Sequence, residues 1–140
     1  MSKATNVGLG LGLLVLSGVA LAGPGVVAAQ ALTGASNLSN IHTVQQLSIA
    51  NDGLYSPSLD SLVNGGFGMG VSFSEGSRVA YLVNSGRSHY VAVTALPSGG
   101  MTVSGDENRP VVCAEYTAEC LTQVTTDAEL LTAVPHWVTF

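Results

Sequence analysis

A chain of 140 residues with nine acidic and four basic side chains, net charge −5, has room for one small domain. Its cations, Lys3, Arg78, Arg87 and Arg109, are scattered, which argues against nucleic-acid binding, because neutralising phosphates takes clustered Lys and Arg. Charged residues make up only 9% of the sequence, against about 25% in ordinary soluble proteins, so hydroxyls and amides must solvate much of the surface.

Residues 7–29, VGLGLGLLVLSGVALAGPGVVAA, are apolar or small throughout, and no Asp, Glu, Lys or Arg falls between Lys3 and Asp52. As a helix this run would reach about 34 Å, enough to cross the ~30 Å hydrocarbon layer of a bilayer. Gly8, Gly10, Gly12, Gly18, Gly23 and Gly25, with Pro24, weaken an isolated helix by about 1 kcal/mol per Gly and ~3 for an interior Pro. The same small residues admit close helix neighbours. Residues 1–29 therefore predict a transmembrane or assembly helix, with Gly8, Gly12, Leu14, Leu16, Gly18 and Pro24 as the residues that meet other helices. The alternative is a secretory signal peptide cleaved after Ala22 or Ala29. Lys3 ahead of the apolar run and an acidic body behind it place the N-terminus inside and the body outside the cell.

Residues 30–140 predict one globular body. Leu32, Ala35, Leu38, Ile41, Val44 and Leu47 recur every third residue among Gln, Ser, Asn and Thr, as in an amphipathic helix over about 30–50 with a slanted apolar stripe. With the apolar run it makes one helix from about residue 7 to 50, bent at Gly23-Pro24-Gly25 and closed at Asn51-Asp52-Gly53. Ser56-Pro57 predicts the cap and first turn of a short helix that stops at Asn64-Gly65-Gly66. The pattern then changes to β-branched and aromatic runs between short turns, predicting antiparallel strands near 70–73, 78–84, 89–96 and 101–104, and a short edge strand at 111–113. Thr126-Asp127-Ala128-Glu129 matches a capping box for a brief helix near 127–133, and the tail PHWVTF is expected to dock on the body or on a neighbour.

Cys113 and Cys120 in an exported body predict a disulfide closing a small loop, with a pair of free, buried thiols as the alternative. Such a loop would hold Glu115, Tyr116 and Glu119 as an exposed surface. No motif for zinc, phosphate or nucleophilic catalysis is present: His42, His89 and His136 lie in different predicted elements, and Asp106-Glu107 offers two ligands where calcium wants six to eight. No cofactor, no metal and no catalytic role are expected.

The order of these parts resembles the type IV pilins and the pseudopilins of type II secretion. The resemblance rests on the apolar N-terminal run with its Pro, the polar continuation SNLSNIHTVQQLSIAND, and Gly53-Leu54-Tyr55-Ser56-Pro57-Ser58-Leu59-Asp60-Ser61-Leu62, which is similar to the G-x-Y-x-x-x-L-x-x-L passage out of the pilin helix. VSFSEGSRVAYLVNSGRSHYVAVTALPSGGMTV is similar to small-pilin hairpins, and Cys113 to Cys120 to a C-terminal disulfide loop. The chain departs from the family in carrying neither the aromatic first residue nor the glutamate near the start of the apolar run.

The strands offer alternating apolar residues that only the element over 32–50 is long enough to cover, which predicts an α+β fold in which a long N-terminal apolar helix packs its C-terminal half on a three- or four-stranded antiparallel sheet, pilin-like. Leu32, Leu38, Val44 and Leu47 would meet Val79, Tyr81, Val91 and Val93. The resemblance implies a filament subunit whose partners are copies of itself and, before assembly, membrane lipid. Such a subunit is membrane-anchored first and extracellular afterwards. The competing expectation is a small secreted surface or binding protein that has lost its first 22 or 29 residues.

Overall fold

A computed structural model describes residues 24–64 and 71–140, with 24–32 described by backbone alone. Helix α1 (Pro24–Asp52) is followed by α2 (Leu59–Asn64), strands β1 (Arg78–Val83), β2 (Tyr90–Ala95), β3 (Met101–Gly105) and β4 (Val111–Cys113), helices α3 (Ala118–Leu121) and α4 (Ala128–Thr132), and β5 (Trp137–Thr139). The strands form one antiparallel sheet in the order β4-β3-β2-β1-β5.

The α+β class stands, but its expected form is corrected. Among the described residues no helix is long and apolar enough to cross a membrane, because α1 is interrupted along its length by Gln, Thr, Ser, Asn and His. The sheet has five strands and not three or four. Gly8, Gly12, Leu14, Leu16 and Gly18 lie outside the described residues, whereas Pro24 lies in α1.

The extra strand is the tail. Trp137, Val138 and Thr139 pair with Ala80, Val79 and Arg78, and Phe140 extends the contact by donating its N–H to the Ser77 carbonyl at 2.9 Å. Arg78 lies over the Trp137 ring at 4.9 Å, and Phe140 packs on Phe73 at 4.8 Å between centroids. At the segment expected to be a strand near 70–73, the described residues 71–73 are irregular, and Val71 donates to the Leu62 carbonyl.

The sheet is covered on both faces. On one face lie Leu38, Ile41 and Val44 of α1, with Leu62, Val71, Tyr90 and Ala92, flanked by Tyr55, Leu59, Phe73, Tyr81 and Val83. The opposite face joins Ala80, Leu82, Val91, Val93, Met101 and Val103 to Cys113, Cys120, Leu121 and Leu130 of the segment that returns after β4.

Val91 and Val93 therefore lie away from α1, which corrects their expected place under the helix. Strand neighbours alternate between faces, and here Tyr90, Ala92 and Thr94 take the helix side. Val79, fully buried, shares that side through its pairing with Thr94. Leu47 is only half-buried and belongs to neither cluster. The helix stripe runs Leu38, Ile41, Gln45, Ser48, the true 3.6-residue period, so a strict three-residue repeat slides off the contact by Leu47. The side chain of Leu32 lies outside the description.

Local signals shift by a residue or two. α1 ends where Gly53 donates to the Ile49 carbonyl at 2.8 Å. The cap of α2 is Ser58 and not Ser56: Ser58 Oγ accepts from the Ser61 N–H. The cap of α4 is Asp127 and not Thr126, with its carboxylate accepting from the Leu130 N–H. Cys113 and Cys120 form a disulfide, and both are buried. Closing so short a ring contributes about 2–3 kcal/mol by the loop-entropy estimate. The loop is not wholly turned out: Ala114, Glu115 and Glu119 are exposed, but Tyr116 packs against the core and Thr117 caps α3.

Candidate functional site

One constellation of buried polar side chains lies where the C-terminal half of α1 crosses the sheet. Gln45 sits on the buried stripe of the helix with no exposed surface, so its amide must find partners within the protein. Its Nε2 donates to Tyr81 Oη at 2.6 Å, its Oε1 accepts from the Ser56 N–H at 2.9 Å, and Tyr81 Oη donates to the Ser56 carbonyl at 2.6 Å. The ring of bonds is closed. Ser48 Oγ adds a bond to the Leu54 carbonyl at 2.7 Å, and Arg87 and Tyr55 bond through main chain and through Arg87 Nε. The turn between α1 and α2 is thus tied to the helix, to β1 and to the β1–β2 hairpin.

One helical turn earlier, His42 Nδ1 bonds Tyr90 Oη at 2.9 Å and its Nε2 meets Gln46 Nε2 at 3.2 Å. With Gln46 donating to Nε2, the neutral ring carries its proton on Nδ1 and donates it to Tyr90. The rings of Tyr55 and Tyr81 lie 4.9 and 6.0 Å from that of Tyr90. Burial raises the Tyr81 and Tyr90 hydroxyls far above their ordinary range, so both stay neutral at any physiological pH. They serve as hydrogen-bonding struts and not as acid–base groups.

A second network gathers on Asn84 at the end of β1. Its Oδ1 accepts from the Ser88 and His89 N–H groups, and its Nδ2 donates to Ser88 Oγ at 2.9 Å and to Asp127 Oδ2 at 3.0 Å. Glu129 accepts from Ser85, so the hairpin turn is fastened to the start of α4. Asp127 has its pKa lowered, first by the Leu130 N–H that it caps. Asp106 accepts from the Tyr90 N–H at 2.9 Å and pairs with His89 Nδ1.

A carboxylate orienting an imidazole is half of a general-base arrangement. Ser88 Oγ accepts from Asn84 Nδ2, and among the described residues no bond joins it to the His89 ring. Glu107 pairs with Arg109, and Asp106 with His89, so the Asp106-Glu107 pair does not converge on one point. Among the described residues no group of three or more His, Cys, Asp or Glu side chains stands where it could hold a metal ion. His42 and His89 belong to different networks, and His136 is exposed just ahead of β5.

No protein-family model matches this chain, and no curated protein or solved structure does.

Sequence reasoning did not single out Gln45, Asn84 or Arg87, and it read Ser56 as a helix cap and not as a member of this ring. For Gln45 a signal existed: it falls four residues after Ile41 on the apolar stripe, and a polar residue there must carry its own partners. The bonds of Ser56 to Gln45 and Tyr81 and of Asn84 to Asp127 gave none, since they join groups distant in sequence, whereas the bonds of Asn84 to Ser88 and His89 are local to the hairpin turn.

The His42 contact carries a pH dependence with a definite sign. Burial lowers the His42 pKa below 6.5, against the opposing pull of Asp106. The folded state then takes up the proton less readily than the unfolded chain. Its contribution is complete above the unfolded value and is lost as pH falls through 6.5 towards the folded pKa. The urea midpoint should drop between pH 7.5 and pH 5.5, a window above the titration of Asp127. His42→Gln should flatten that slope. An unchanged slope in the variant would remove His42 from the account.

Proposed function

We propose that this chain is a structural subunit of an extracellular, pilus-like filament, assembled through its uncharged N-terminal stretch and without a catalytic step. The observation that carries the reading is the use of polar groups: beneath α1, Gln45, Tyr81 and Ser56 bond one another in a closed ring that fastens the helix to the sheet. An exterior with few charges, a sheet-seated helix whose one charged residue is its last, Asp52, and a disulfide that suits an oxidising compartment support the same reading. The partners are copies of the chain, with membrane lipid holding residues 7–29 before assembly.

The test uses the full-length chain extracted in detergent. On detergent withdrawal, light scattering and electron microscopy should find ordered polymers, and Gly12→Leu or Gly18→Leu should impair them while the body stays folded. A monodisperse monomer would overturn the proposal. So would a mature N-terminus at residue 23 or 30 in protein recovered outside the cell, which marks a secreted protein with a cleaved signal peptide.

A further inference from the structure

Helix α1 meets the sheet in two unlike stretches. Over residues 42–48 its side chains reach out: His42 to Tyr90, Gln45 to Ser56 and Tyr81, Ser48 to the Leu54 carbonyl. Over residues 34–38 the contact is of another kind. A Cβ added to Gly34 would stand 2.8 Å from Thr102 Oγ1 and 2.9 Å from Thr94 Oγ1, so the helix backbone rests almost directly on two hydroxyls.

Those hydroxyls, with that of Ser104, are buried and have no hydrogen-bond partner. The pairings Thr94 with Thr102 and Ala92 with Ser104 put all three on the face that α1 covers. Each gave up water on docking and received no bond in return, which opposes the closed state at this end alone. Leu38, which ends the first stretch, and Ile41, just ahead of the second, are both buried.

We propose that α1 is a hinged element: the stretch around Gly34 lifts from Thr94, Thr102 and Ser104 and rehydrates them, while residues 42–48 stay fastened and Leu38–Ile41 serves as the pivot. The helix can then change its angle to the body without unfolding the body, and a hydroxyl-lined strip of sheet is uncovered each time. The freed turns, rich in Ser and Asn, do not hold a helix alone in water. Lifting therefore registers as amide exchange.

The test is hydrogen exchange on the full-length chain. Corrected for intrinsic rates, amides over 34–38 should exchange about tenfold or more faster than those over 44–48. Replacing Thr94→Val together with Thr102→Val, which keeps the shape and deletes two orphan hydroxyls, should slow the 34–38 amides by about fivefold or more and leave 44–48 unchanged. Gly34→Ala should speed exchange over 34–38 only. Uniform protection along 34–48 in the unmodified chain overturns the proposal. It is equally overturned by a valine pair that leaves the gap intact, or by a Gly34→Ala variant that loses protection along the whole helix.

Discussion

Gly105→Ala should destabilise the body by about 3 kcal/mol, at the upper end of what overpacking costs. Gly105 ends β3 at the point where the returning segment after α3 crosses the sheet. A Cβ built there would stand 2.5 Å from the Val124 carbonyl oxygen and 3.2 Å from that of Tyr90. Both neighbours are main chain, so no rotamer change relieves the clash. Val124 can retreat only by dragging the turn that its own N–H closes on Leu121. Leu121 and the adjacent disulfide are core, so the displacement spreads into the layer that also holds Trp137. Denaturant unfolding followed by the fluorescence of that single tryptophan would measure the loss. An unchanged midpoint would mean the crossing is looser than described.

Gln45→Ala should cost a comparable amount, about 3 kcal/mol, by two mechanisms that can be separated. It opens a cavity in a site with no exposed surface, and it leaves the buried Ser56 N–H without an acceptor. Gln45→Leu restores volume but not the acceptor, so the difference between the two variants isolates the cavity. Tyr81→Phe breaks the same ring from the other side. Because the groups share bonds, the Gln45→Ala, Tyr81→Phe double variant should lose less than the two single losses added. Simple additivity would show that the ring is not a unit.

The strands β1, β2 and β3 were legible because β-branched and aromatic runs separated by Ser-Gly and Pro-Ser-Gly-Gly turns leave few alternatives. The face each run presents was not legible. In YVAVTAL every residue suits a core, and only the size of what lies opposite decides: Ala92 and Thr94 let a helix come close, while Val91 and Val93 fill the space beneath looser connections. β5 was hidden by its brevity, three residues directly after Pro135-His136, and read as a docking tail. The site was hidden by distance. His42 to Tyr90 spans 48 residues, Gln45 to Tyr81 spans 36 and Asn84 to Asp127 spans 43, and no local pattern encodes a bond of that reach. The cysteine pair was legible because its seven-residue separation needs no tertiary knowledge to close.

The pairing of β5 with β1 has a consequence in time. Thr139 lies opposite Arg78, so three other strands and two helices are made before the partner of β1 exists. A chain synthesised or threaded across a membrane N-terminus first has its hairpins β1–β2–β3 available early, since their turns are short. The outer backbone of β1 stays bare meanwhile. At about 5–20 residues per second that interval lasts on the order of several seconds. An open strand edge is a template for another strand. Until β5 arrives, the β1 edge is therefore open to a strand of a neighbouring chain as well as to its own.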